Sequence, residues 1–138
     1  MNWFAWALLS GFFAGVTAIL AKVGVQEIDS NMATAIRTVV ILIFAWSIAL
    51  ITDHQPLSTV GRRTWIFLIL SGIATGLSWI CYFRALQLGQ ASRVAPVDKL
   101  SVVVAIALAA IFLHEQLTWR HWVGGTFILA GAVVLAYA

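Results

Sequence analysis

From Trp3 to Ala21 the chain runs 19 residues without a charged side chain, and the pattern recurs four times. The segment 32–51 carries only Arg37, 65–83 carries no charge, 94–113 carries Asp98 and Lys99, and 122–138 carries none. A membrane helix needs about 20 mostly apolar residues to cross a hydrocarbon core about 30 Å thick. Five spans are therefore expected, at about 3–21, 32–51, 65–83, 94–113 and 122–138. Barrel strands would alternate apolar and polar residues over segments of about ten, whereas these runs are continuously apolar. Composition agrees: 62% of the 138 residues are hydrophobic and 9% charged, against about 25% charged in soluble domains. A soluble globule is excluded, as is a disordered chain, and the single Cys81 excludes an intramolecular disulfide framework. The expectation is an all-α integral membrane protein, residues 1–138 forming one multi-pass domain in the cytoplasmic (inner) membrane. Met1 to Gly11 carries no charged side chain ahead of the apolar run, so the first span is expected to remain in the mature chain.

Turn chemistry falls between the spans. Asp29, Ser30 and Asn31 offer a helix start, Asp53 to Gly61 holds Pro56 and Gly61, and Ser92 offers a cap for the fourth span. Trp3, Trp65, Tyr82, Trp119, Trp122 and Tyr137 lie near span ends, where aromatic anchors collect. With the amino-terminal side called A and the opposite side B, the A loops carry Arg62, Arg63 and Arg120 and the B loops Lys22, Arg84 and Arg93. Excess Lys and Arg in cytoplasmic loops sets orientation, so this tie predicts weak preference and insertion both ways up. Counting Arg37 and Lys99, near the B ends of their spans, favours side B in the cytoplasm. The eight basic residues are scattered, which gives no nucleic-acid footprint.

Spans two and four both start from side B, and Arg37 and Asp98 fall within their first two turns. Lys22 and Lys99 reach the same layer. An ionisable residue at a helix centre costs about 2.5–3.5 kcal/mol on insertion scales, so such residues are either functional or snorkel to the headgroups. Pro96 precedes Asp98 and disfavours helical angles at Ala95, so the fourth span either starts late, breaks here, or carries Pro96 in its first turn. Ser71, Thr75, Ser78 and Tyr82, spaced four, three and four, share one face of span three. That face either lines a cavity for a small amphipathic solute or bonds neighbouring helices. Trp3, Trp6, Ser10, Phe13 and Thr17 form a comparable stripe on span one. Gly11 with Gly15 and Gly72 with Gly76 are small pairs that suit close helix packing. His114, Glu115 and His121 are too few and too loosely spaced for a metal site. No nucleophile elbow, Walker loop or dinucleotide fingerprint is present, so no catalytic group, cofactor or metal is expected.

The segment Ala91-Ser92-Arg93-Val94-Ala95-Pro96, the following helix ending Phe112-Leu113-His114-Glu115, then Leu117-Thr118, Gly124-Gly125 and Gly131, resembles the EamA domain of the drug/metabolite transporter superfamily. Ala35-Ile36-Arg37 resembles its arginine-bearing second helix. Many family members carry a second proline where this chain has Ser101; Asp98-Lys99-Leu100-Ser101 is more similar to the short, single-repeat branch. The resemblance covers the whole chain and implies half of a ten-helix inverted-repeat transporter, completed by a dimer. An antiparallel homodimer would reproduce that repeat, which agrees with the tied charges. The implied activity is movement of a small solute by alternating access. Arg37, Asp98 and Lys99 are the expected gate or substrate-orienting layer, and Ser71, Thr75, Ser78 and Tyr82 the path. The basic layer favours an anionic or zwitterionic solute. Membrane lipids and a second copy are the expected partners. The rival expectation is a non-transporting or lipid-moving subunit that packs through Gly11, Gly15, Gly72 and Gly76 against a different protein.

Overall fold

The computed structural model describes residues 2–52 and 56–138, and Asp53, at the head of the second connection, lies outside them. The described residues form six α-helices: α1 Trp3–Gly24, α2 Ser30–Ile51, α3 Arg62–Leu88, α4 Ala91–Asp98, α5 Ser101–Phe112 and α6 Trp119–Tyr137. A short 3₁₀ turn, Leu57–Thr59, precedes α3. Four runs are long and apolar enough to cross a membrane: α1, α2, α3, and α4 with α5 taken as one interrupted run, Ala91–Phe112. Helix α6 has 19 residues but opens on Trp119-Arg120-His121-Trp122, which shortens its apolar stretch.

The starts of α1 and α2 have local causes. The Asn2 side-chain oxygen accepts from the Ala5 amide at 3.0 Å, and Asp29 caps α2 by accepting from the Asn31 amide at 2.9 Å. Helix α3 extends past both ends of the charge-free run and takes up Arg62, Arg63 and Arg84. A charged side chain does not stop the backbone hydrogen-bond ladder, and 27 residues at about 1.5 Å each give about 40 Å, longer than the hydrocarbon core. Tyr82 thus lies more than a turn before the end of α3. Hydroxyls along the helices return to their own backbones: Thr34 to Ser30, Thr38 to Thr34, Ser47 to Ile43, Thr75 to Ser71 and Thr126 to Trp122, at 2.7–2.9 Å.

The fourth span corrects two expectations. It begins at Ala91, behind Gln90, so Ser92 lies inside the first turn and does not cap it. Pro96 sits in the second turn of α4 rather than the first, and Ala95 remains helical. Lacking an N–H, Pro96 leaves the Ser92 carbonyl without its helical donor. The chain then tightens: Lys99, Leu100, Val102 and Val103 donate to the carbonyls of Pro96, Val97, Lys99 and Leu100, each three residues back. The helix breaks between Asp98 and Ser101 with no second proline present.

The chain divides into two compact units, Val23–Gln87 and the combination of Met1–Lys22 with Leu88–Ala138. In the second of these, α4 and α5 both pack against α6. Gly125 and Ala132, seven residues apart on one face, are the buried positions of α6. Arg93 of α4 donates to the Ala138 carbonyl at 2.8 Å, beyond the end of α6, and Lys22 donates to the Gly89 carbonyl at 2.9 Å. Loop α5–α6 turns at His114, whose φ of 54° brings the Glu115 amide to the Ala109 carbonyl at 3.3 Å.

The unit of α2 and α3 is held at one end by Gln87. Its amide donates to the carbonyls of Val25 at 2.9 Å and Ile28 at 2.6 Å, while its oxygen accepts from Arg84 at 3.2 Å. The α1–α2 turn is thereby stitched to the end of α3, where Phe83 and Leu86 are fully buried. Gln87→Leu keeps the bulk but leaves two carbonyls without donors. A loss of about 1–3 kcal/mol is expected, read as a lower unfolding midpoint in detergent. Most large apolar side chains elsewhere are exposed, among them Phe44 at 66% and Leu20 at 68%. Such a surface suits lipid as solvent and not water.

Candidate functional site

Arg37 is the eighth residue of α2 and is half-buried. Its guanidinium carbon stands 4.7 Å from the centre of the Trp79 ring and 5.3 Å from that of Phe83. Trp79 and Phe83 are one turn apart on α3, so one face of that helix offers the cation two stacked-up aromatic surfaces. The side chain is held along α3 by the rings. Tyr82 lies next along the chain, its ring 6.2 Å from that of Phe83, and is within electrostatic reach of Arg37. Among the described residues the one ion pair is Lys99–Asp98, so no carboxylate there neutralises Arg37.

Ser71, Thr75, Ser78 and Tyr82 all lie on α3. At 3.6 residues per turn they share a stripe whose middle is about 100° round the helix from Trp79 and Phe83. Thr75 returns its hydroxyl to the Ser71 carbonyl, which satisfies it within the helix. Ser71 and Ser78 are exposed and make no side-chain hydrogen bond among the described residues. Gly72 and Gly76 fall instead on the flank that carries Trp79 and Phe83. A Cβ added at Gly11, Gly15, Gly72 or Gly76 would meet nothing within 4 Å.

Asp98 and Lys99 belong to the other unit, at the α4–α5 break, and pair with each other at 3.4 Å. Both side chains are accessible, which makes the pair weak in water, with a median worth of about 0–1 kcal/mol. His121 is committed elsewhere: its Nδ1 accepts from the Thr118 amide at 3.1 Å and lies 2.8 Å from the Thr118 hydroxyl, closing a cap on α6. No group of three or more His, Cys, Asp or Glu gathers among the described residues.

Sequence reasoning missed Trp79, Phe83 and Gln87. For the two rings a signal existed, an aromatic pair spaced four apart beside Ser78 and Tyr82. Which α3 face meets α2 is fixed by the connecting turns, and periodicity alone does not carry that information. Gln87 carried only the weak signal of a polar residue just past the apolar run.

The EamA-like transporter family model matches residues 1–137. The chain is 54% identical over 136 residues to a Sinorhizobium protein described as an uncharacterised transporter in the cobO 3' region, covering 98% of this chain and 96% of that one. An uncharacterised protein of Methanocaldococcus jannaschii is 27% identical over 135 residues, 94% and 92% of the two chains. A Salmonella paratyphi B protein, described as the probable 4-amino-4-deoxy-L-arabinose-phosphoundecaprenol flippase subunit ArnE, is 31% identical over 86 residues, 61% of this chain and 78% of its own. No solved structure matches the chain. The short, single-repeat length is shared with these relatives, the helices are those of a multi-pass membrane protein, and the chain belongs to the EamA-like transporter family.

Proposed function

We propose that the chain is a secondary transporter subunit with five membrane helices, α6 being the fifth, that moves a small anionic or zwitterionic solute by alternating access. It works as an antiparallel homodimer of chains inserted in opposite orientations. The observation that carries this reading is a family match running along one set of helices, in a chain whose basic residues are tied between the two sides. Two copies, one inverted, supply the second half. Arg37 with Ser71, Thr75, Ser78 and Tyr82 forms the polar lining contributed by α2 and α3. Asp98 and Lys99, at the α4–α5 break, form a charged gate, in which their ion pair must open for either side chain to reach the solute.

The test is uptake by purified protein in vesicles against a panel of labelled anionic and zwitterionic metabolites. Asp98→Asn, which keeps the shape and removes the charge that pairs with Lys99, should lower the uptake rate about tenfold or more. Unchanged rates in the variant would remove Asp98 from the mechanism.

A second reading is favoured by the ArnE-named relatives, which are described as flippase subunits. In it the chain moves a lipid-linked substrate together with a different protein. Purified alone it would then be inactive and would recover activity only with that partner.

A further inference from the structure

We propose that the start of α6 is a pH-operated cap, closed by the neutral ring of His121 and opened when that ring takes up a proton. The Thr118 amide donates to His121 Nδ1 at 3.1 Å. A backbone amide only donates, so Nδ1 offers a lone pair and the ring proton sits on Nε2. The Thr118 hydroxyl lies 2.8 Å from the same nitrogen and adapts to either role, so the amide alone decides which form of the ring the cap accepts. The box is reciprocal, with the His121 amide donating back to the Thr118 hydroxyl. Glutamine is an ordinary residue at this third helical position and keeps its acceptor at any pH. Imidazole does not, because it ordinarily changes charge between about pH 5 and 8.

A proton on Nδ1 sets two N–H groups against each other across 3.1 Å. It also adds positive charge at the helix end where the amides of the first turn already present it. Both effects drive the ring out of the box, return the Thr118 amide to water and loosen the first turn of α6. The proton has free access, since Thr118 and His121 are exposed. Trp119 and Trp122 flank the cap, aromatic residues of the kind that collect at the membrane surface. No other charge fixes the ring. Of the helices packed against α6, α5 carries no charged side chain, and α4 carries Arg93, bonded beyond the far end of α6, and Asp98, paired with Lys99. His114, Glu115 and Arg120 lie nearest along the chain, and Glu115 makes no ion pair with the ring among the described residues.

The experiment is hydrogen–deuterium exchange on the purified chain in nanodiscs of neutral phosphatidylcholine, at about pH 8 and about pH 5.5, either side of the histidine range. Rates are corrected for the intrinsic pH dependence of amide exchange. Peptides covering Thr118 to Trp122 are read against peptides from Phe127 to Tyr137 further along α6. Protection of the first stretch should fall about fivefold on acidification, the equivalent of a cap worth about 1 kcal/mol, while the second stretch holds. His121→Gln keeps an acceptor that does not titrate, so it should retain the protection seen at the higher pH and lose the fall. His114→Asn and Glu115→Gln remove the other titratable groups of the connection and should leave the fall in place; Asn tolerates the positive φ of 54° at that position.

No fall in the unaltered protein, or an equal fall in His121→Gln, would overturn the cap. A fall abolished by His114→Asn or Glu115→Gln with His121 intact would assign the response to another group and overturn it as well. Each variant is first shown to elute as the unaltered protein does in size-exclusion chromatography. If His121→Gln does not, nitrogen-15 resonances of the His121 ring in the unaltered protein decide the matter. A bare Nδ1 bonded to the Thr118 amide at the higher pH, with that bond lost at the lower, supports the cap; a proton on Nδ1 at the higher pH overturns it. The cap needs neither a transported solute nor a particular orientation in the membrane, so its failure and the failure of the transport reading are separate results.

Discussion

Adding two lysines to the side A connections, Ser58→Lys with Gln116→Lys, should silence transport by a chain expressed alone. The complementary pair on side B, Gln26→Lys with Gln90→Lys, should do the same. Co-expression of the two variants should restore most of the activity. The four positions are exposed, and Gln90 makes no side-chain cap bond to α4, so the substitutions leave the helices intact. Each pair turns a tie of three against three basic residues at the helix ends into a bias of two, enough to fix a weakly specified orientation. Chains that all insert one way cannot form an antiparallel pair, and two populations fixed in opposite senses can. The measurement is growth or uptake in cells carrying one or both variants. Full activity from either variant alone would rule out the antiparallel homodimer.

The second large effect concerns the polar stripe of α3. Ser78→Leu together with Tyr82→Leu should lower the uptake rate by about tenfold or more, equivalent to about 1.4 kcal/mol or more at the rate-limiting barrier. The doubly substituted chain should still purify as the unaltered one does. Ser78 is exposed and makes no side-chain bond among the described residues, so its hydroxyl is available to a solute. Thr75 is a useful contrast. Its hydroxyl is already bonded to the Ser71 carbonyl, so Thr75→Val should lower uptake less than the paired substitution does. A non-transporting subunit predicts the opposite, a phenotype indifferent to the polarity of the stripe.

Much of this arrangement was legible in the residues. Uninterrupted apolar runs indicated membrane helices because no water is available to satisfy an exposed backbone, and Asp29 marked the start of α2 through ordinary capping chemistry. The ends of α3 were not legible, since a run defined by absence of charge stops at Arg62 and Arg84 while the hydrogen-bond ladder does not. Pro96 pointed to the region of the α4–α5 break but not to its place. The tightened turn falls at Lys99 and Leu100, three and four residues beyond the proline. Arg37 was recognised as unusual from its depth alone. Its two aromatic neighbours come from a helix more than forty positions away, a pairing that local periodicity does not carry.

The most direct test is the sidedness of single cysteines, Ser58→Cys and Gln90→Cys, each in a Cys81→Ala background that removes the one native thiol. Intact cells are treated with a membrane-impermeant maleimide before and after permeabilisation. Insertion in both orientations predicts that each cysteine is labelled in part from outside and completely only after permeabilisation. If Ser58→Cys is labelled wholly from one face and Gln90→Cys wholly from the other, the chain has a single orientation and the antiparallel homodimer is wrong.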